Sequence, residues 1–322
     1  MVRFGSFLPQ GWLHEFANWD KTGNEFNTIK SVALECERLK YDSVWLYDHF
    51  ITYPDATQEP CFESWTTLSA LAGMTENVGL GTLVTCNSYR YPAVLAKTAA
   101  TLDAISNGRL NFGIGAGWCY TEYAAYGIPF PKASVRIAQL GEAVQIIRKM
   151  WTEQEPTFHG KYFAIEKAIC SPKPVQKPHP PILIGGRGRK LTLRIVAESA
   201  DRCNFGGNCT LEEYEELLAT LYAHCDTVGR NPNDIEKTHI VDRAIIGKNK
   251  ADVKKKIKRF KPKNISTKEF EERNLVGTPE EIISKIQSFV DVGFTYFIMR
   301  FPDMIELEPL RVFAEQVFPA FK

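Results

Sequence analysis

No two of the eight cysteines in this 322-residue chain are spaced as a C-x-x-C pair; they are scattered singly from Cys36 to Cys225. At this length such scatter excludes a disulfide scaffold, and the thiols are expected to be reduced and mostly buried, as in a cytoplasmic protein. The opening MVRFGSFLPQG lacks the apolar run of a secretory leader, and no later stretch reaches the about 18 consecutive apolar residues of a membrane span. The six histidines lie far apart, with no H-E-x-x-H and no H-x-H at a strand end, so no metal site is expected. A G-x-S-x-G elbow for a serine nucleophile is also missing. Net charge is only +1, which gives no global field for nucleic acid or an acidic membrane. The basic run from Lys250 to Lys261 has a single aromatic neighbour, Phe260, and reads as the solvated face of a helix.

What is present is a strict alternation. Apolar runs bounded by turn residues are expected as strands at 2–8, 43–47, 79–85, 110–115, 182–184, 202–205, 238–246 and 294–300. Segments of helical period lie between them at 24–39, 65–74, 92–106, 136–151, 190–199, 211–228, from Ala251, and at 279–292. Eight strands, each followed by a helix, predict an α/β protein: a (β/α)8 TIM barrel forming one domain over residues 1–322. The stretch 152–181, with six prolines and a hairpin-like FHGKYF, breaks the rhythm and is expected as an irregular insertion over the C-terminal mouth. Hydrophobic content of 44% and this length suffice for a core that encloses a cofactor.

In such barrels the chemistry stands where strands end. Phe7 ends strand one, either as a pocket floor or as barrel packing. Strand two ends in Asp48-His49, either a carboxylate that fixes an imidazole for proton transfer or a turn-capping Asp beside a half-buried His. Gly113, Gly115 and Gly117 end strand four, either for close backbone approach to a ligand or for tight packing; the G-x-G-x-x-G spacing of a dinucleotide site fails. Strand five ends in Gly185-Gly186-Arg187-Gly188-Arg189 ahead of a helix. Free N–H groups, a helix N-terminus and two guanidinium groups predict an anion site there, most plausibly for phosphate.

Taken in order, WLYDHF (45–50), LGTLVTCNSYRYPAVLAKTAATLDAISNGRLNFGIGAGW (80–118), YGIPFP (126–131), PVQKPHPPILIGGRG (174–188), ADRCNFGG (200–207) and VGTPEEI (276–282) resemble the bacterial luciferase-like superfamily, in its F420-dependent oxidoreductase branch. The resemblance implies coenzyme F420 across the C-terminal mouth. It implies a non-prolyl cis peptide at Leu83–Val84, Asp48 on the ring edge, and His49 exchanging a proton with substrate. Thr82, Leu83, Val84, Ala116, Gly117, Trp118 and Thr121 are implied around the ring and ribityl chain, and Gly185, Gly186, Arg187 and Gly188 at the phosphate. One departure is visible. Sugar-phosphate dehydrogenases of this branch carry a glutamate proton donor where this chain has Trp118. A flatter, more apolar small-molecule substrate is therefore expected, with proton transfer on His49 and Glu122 as the substitute donor. The alternatives are an FMN-dependent monooxygenase supplied by a flavin reductase, and a flavin- or deazaflavin-binding protein without turnover. A homodimer is the usual assembly in such relatives.

Overall fold

Eight parallel strands close into a barrel in the computed structural model, which describes residues 1–17 and 23–321. In chain order they are Arg3–Phe7, Ser43–Leu46, Gly79–Thr82, Leu110–Gly115, Ile182–Gly185, Arg202–Asn204, Glu236–Val241 and Phe294–Met299. Each pairs with its chain neighbours, and the ring closes where strand one meets strand eight, Arg3 opposite Tyr296 and Ser6 opposite Met299. The strands are buried almost throughout because helices cover the sheet from outside, so both faces need apolar residues. Inside, strands need small residues opposite large ones. A Cβ on Gly81 would sit 2.4 Å from the ring of Trp45, so glycine there makes room for the indole.

The N-terminal end of the barrel is plugged by charge. Glu236 pairs with Arg3 and, at 2.8 Å, with Nε of Arg202, whose Nη1 donates to Asn111 at 2.7 Å. The Arg3 guanidinium lies 4.1 Å over the ring of Tyr296. The opposite end stays open, and the most voluminous hollow, about 770 Å³, lies there.

Local signals set most helix starts. The helix Leu211–Val228 begins with a reciprocal Thr210/Glu213 capping box and ends at Gly229 with φ of 69°. The helix Pro279–Asp291 opens with proline in its first turn behind a Thr278/Glu281 box. Two expectations are corrected, and one helix is added. The seventh strand does not run through to Ile246: it stops at Val241, and Ala244–Ile246 pairs instead with Leu275–Gly277 in a separate two-stranded sheet. A helix at Thr267–Arg273, capped by Ser266, went unread. The segment 152–181 does contain a hairpin, Phe158 opposite Ile165, but it does not cover the mouth. It follows the C-terminus of the helix Ala133–Thr152 and precedes the start of strand five, which places it on the flank and floor. Glu142 of that helix accepts from the amides of Lys161, Tyr162 and Phe163, and Asp103 accepts from those of Val175 and Gln176.

Candidate active site

Strand three is interrupted after Thr82. The Leu83–Val84 peptide is cis, as the resemblance implied, and the chain resumes pairing with strand four at Thr85–Cys86. Asp48 holds this bulge. Its Oδ2 accepts from the Cys86 amide at 2.8 Å and from Arg90 at 2.7 Å; its Oδ1 accepts from Ser64 Oγ at 2.9 Å and Arg90 at 3.0 Å. Arg90 is itself tied to Glu63 at 2.6 Å. The Asp48 carboxylate borders the cavity, but its acceptor sites are occupied by the protein. Thr82 does not reach the cavity. It is fully buried beneath the bulge, where its hydroxyl meets Thr85 Oγ1 at 2.8 Å and the Gly113 carbonyl at 3.1 Å.

His49 is fixed on three sides. Nδ1 lies 2.7 Å from Glu122 Oε2, the ring stacks on Trp12 at 4.0 Å with planes 3° apart, and Trp118 meets its edge at 5.8 Å. A carboxylate only accepts, so Nδ1 carries the proton and Nε2 is left for the cavity that His49 lines. Glu122 is not placed to meet a substrate. It has no exposed surface, and it also accepts from the Phe50 amide at 2.7 Å, the Ile51 amide at 3.3 Å and Tyr89 Oη at 2.6 Å. Burial pushes its pKa up, but the hydrogen bonds from His49, Tyr89 and Phe50 outweigh this and hold it below the ordinary carboxylate range. Ligand atoms of His49, Cys119 and Glu122 all lie within 4.8 Å of one another. A metal at about 2.0 Å from each of two tetrahedral ligands would hold them about 3.3 Å apart. The 2.7 Å between Nδ1 and Oε2 is therefore a hydrogen bond, with no ion between them.

Two contiguous hollows make up the mouth, about 410 and 770 Å³, both bordered by Leu83, Val84, Gly117, Trp118 and Gly186. The smaller hollow is an apolar slot between Val84, Ala116, Ile137 and Ile240, bounded by Gly185 and Gly188. Glycine is needed around it because Val84 bulges inward. A Cβ on Gly115 would come within 2.7 Å of Val84, and one on Gly185 within 2.9 Å. Gly186 has φ of 136° and gives its N–H to the Asn204 carbonyl. Among the described residues, the amides of Arg187 and Gly188 donate to no carbonyl, and the helix Thr192–Ser199 begins just beyond with no side-chain cap. Arg187 borders the larger hollow, but Arg189 turns away to Glu216 at 2.6 Å. A largely apolar hollow leading to unpaired amides suits an apolar ring with an anionic tail.

Thr121 is exposed and borders only a separate dimple of about 90 Å³. Sequence reasoning missed Trp12, Asn204, Asp242, Arg243 and Arg300, all of which line the mouth. For Arg300 a signal existed, since it follows strand eight directly. For Asp242 and Arg243 the signal was hidden by reading the strand through them.

A family model described as luciferase-like monooxygenase matches residues 2–269. Among curated proteins, an F420-dependent glucose-6-phosphate dehydrogenase of Kineococcus radiotolerans is 28% identical, covering 91% of this chain and 93% of its own. One of the same name from Intrasporangium calvum is 29% identical over 94% and 98%. Among solved structures, an F420-dependent secondary alcohol dehydrogenase in complex with an F420-acetone adduct superposes with a TM-score of 0.81 at 21% identity, over 100% of this chain and 99% of the other. A monooxygenase from Streptomyces bottropensis gives 0.79 at 20% identity, over 100% of both chains. Among the described residues, no helix is long and apolar enough to cross a membrane.

Proposed function

Within the luciferase-like monooxygenase family, to which this chain belongs, we propose that it is a coenzyme F420-dependent oxidoreductase acting on a small organic substrate. One observation carries the reading: His49, clamped by Glu122 and Trp12, stands at the same mouth as the Leu83–Val84 bulge and the glycine loop of strand five. The curated relatives with F420 in their names support the cofactor. When bound, the deazaflavin supplies the site that gains or loses a hydride. Leu83, Val84, Ala116, Gly117 and Trp118 would hold the ring, and Gly186, Arg187 and Gly188 its phosphate. His49 takes the proton of a substrate hydroxyl through Nε2 during oxidation and returns it in the reverse direction. Trp12 covers one face of the His49 ring. Glu122 acts through His49 as a positioning residue, and Asp48 keeps the bulge in place.

Anaerobic titration with oxidised and reduced F420, and separately with FMN, tests this. Saturable perturbation of the F420 absorbance with none for FMN is expected; tighter FMN binding, or no binding of F420, overturns it. His49→Ala should leave F420 affinity intact and lower turnover about 10²–10⁴-fold.

A further inference from the structure

The ends of strands seven and eight bring charge into the mouth that the chain does not balance. Asp242, Arg243 and Arg300 line the larger hollow together with Arg187 and His49. Arg300 is only 9% exposed, and its Nε is buried without a partner. Among the described residues, neither the Arg243 nor the Arg300 guanidinium makes a hydrogen bond or an ion pair. Burial and the neighbouring Arg300 both disfavour the charged form of Arg243. The acids nearby do not offset this. Asp48 is taken up by Arg90, and among the described residues neither Glu15 nor Asp242 comes within ion-pair distance of either guanidinium. Unpaired guanidinium groups in a half-closed cavity cost stability unless an anion joins them.

We propose that Arg243 and Arg300 receive an anionic group of the substrate, a carboxylate or phosphate, and so make this enzyme selective for negatively charged substrates. This rests on the reading of the mouth as a redox site, and it replaces the apolar substrate that Trp118 led us to expect. The position argues for substrate rather than cofactor tail. The glycine loop that suits a cofactor phosphate ends strand five, whereas these arginines end strands seven and eight and share the larger hollow with His49. A planar guanidinium pair suits bidentate capture of either anion.

The test uses the full chain, its Arg243→Gln and Arg300→Gln variants, and three readouts. In calorimetry without cofactor, oxalate and inorganic phosphate serve as probes; the wild type should bind at least one of them, and each variant at least 10-fold more weakly. This arm reads the proposal even if F420 does not bind at all. In F420 titrations, dissociation constants of the variants should stay within 3-fold of the wild type; a rise of 10-fold or more would assign the arginines to the cofactor tail and overturn the proposal. In turnover, 2-hydroxy acids and sugar phosphates are compared with their neutral amide and unphosphorylated counterparts. Preference for the charged members is expected, with KM raised at least 10-fold and kcat within 3-fold in the variants. Preference for neutral members, or a wild type that binds neither probe, overturns it. Melting temperatures separate a structural role, because variants relieved of unpaired charge should melt no lower than the wild type.

Discussion

Glu122→Gln isolates what the carboxylate does for His49. The substitution keeps shape and volume, so the fully buried site is refilled. Its oxygen must still accept from the amides of Phe50 and Ile51, which are fixed in the chain at 2.7 and 3.3 Å from Oε1. The new NH2 then replaces Oε2 and faces His49 Nδ1 and Tyr89 Oη. A donor now meets Nδ1, so the ring proton moves to Nε2, and the nitrogen left for the cavity changes from acceptor to donor. The enzyme becomes unable to take a proton from a substrate hydroxyl without first rearranging. Removing a general base is worth about 10²–10⁴ in rate, and tautomer inversion approaches that limit. A loss of about 10²-fold in kcat equals about 2.7 kcal/mol at 1.36 kcal/mol per decade. The assay is steady-state F420 reduction with whichever alcohol the wild type turns over fastest, paired with nitrogen NMR of the His49 ring. A variant with the inverted tautomer and wild-type kcat would refute the proton-transfer argument. A variant with an unchanged tautomer would refute the hydrogen-bond assignment.

Other perturbations have defined outcomes. Gly117 has φ of 77°, and a Cβ there would lie 2.0 Å from Tyr123 Oη and 2.6 Å from Cys86 Sγ. Gly117→Ala should therefore cost about 2–4 kcal/mol in urea unfolding, combining left-handed strain with overpacking; a cost below about 0.5 kcal/mol would show that the turn yields freely. Glu236→Ala leaves Arg3 and Arg202 facing each other on the barrel floor, and about 3 kcal/mol should be lost, with cofactor affinity unchanged at the far end. Glu35 is held at a pKa of about 2, chiefly by its hydrogen bonds from Arg38, against an opposing effect of burial and with further help from Arg311. A depressed carboxylate stabilises above its unfolded pKa of about 4.5, and that contribution fades as pH falls from there toward 2. Urea midpoints of Glu35→Gln should therefore converge on the wild type across that window, and a gap that stays constant with pH would contradict the assignment.

The barrel could be read from the sequence because its signals are local. Buried parallel strands are apolar runs, and a Thr210-x-x-Glu213 box or a Thr278-Pro279 start marks where each helix must begin. The half of the mouth built from strands two to five shared this advantage, since Asp48, His49, the Leu83–Val84 bulge and the strand-five glycines lie within contiguous motifs. Errors arose where a residue's role depends on what folds against it. Glu122 looked like a spare acid because nothing in the sequence shows four donors converging on it from the strand-two loop and Tyr89. Segment 152–181 looked like a lid because composition shows irregularity but not which end of the barrel it occupies; that depends on its lying between a helix end and a strand start. Asp242 and Arg243 were hidden in an apparent strand, since they sit between the apolar runs Ile240-Val241 and Ala244-Ile245-Ile246. The pairing of Ala244–Ile246 with Leu275–Gly277 shows the chain leaving the barrel there, while the Ala244 amide bonds to the Arg300 carbonyl and the Arg300 amide to that of Val241. That exit turns both strand ends into the mouth. The arginines proposed to meet the substrate therefore come from stretches read as ordinary strand, while the residues proposed to hold the cofactor come from where the sequence pattern is most irregular. Glycines and bulges are conspicuous in a sequence; a pair of arginines at the ends of two ordinary strands becomes conspicuous only when the fold leaves them without partners.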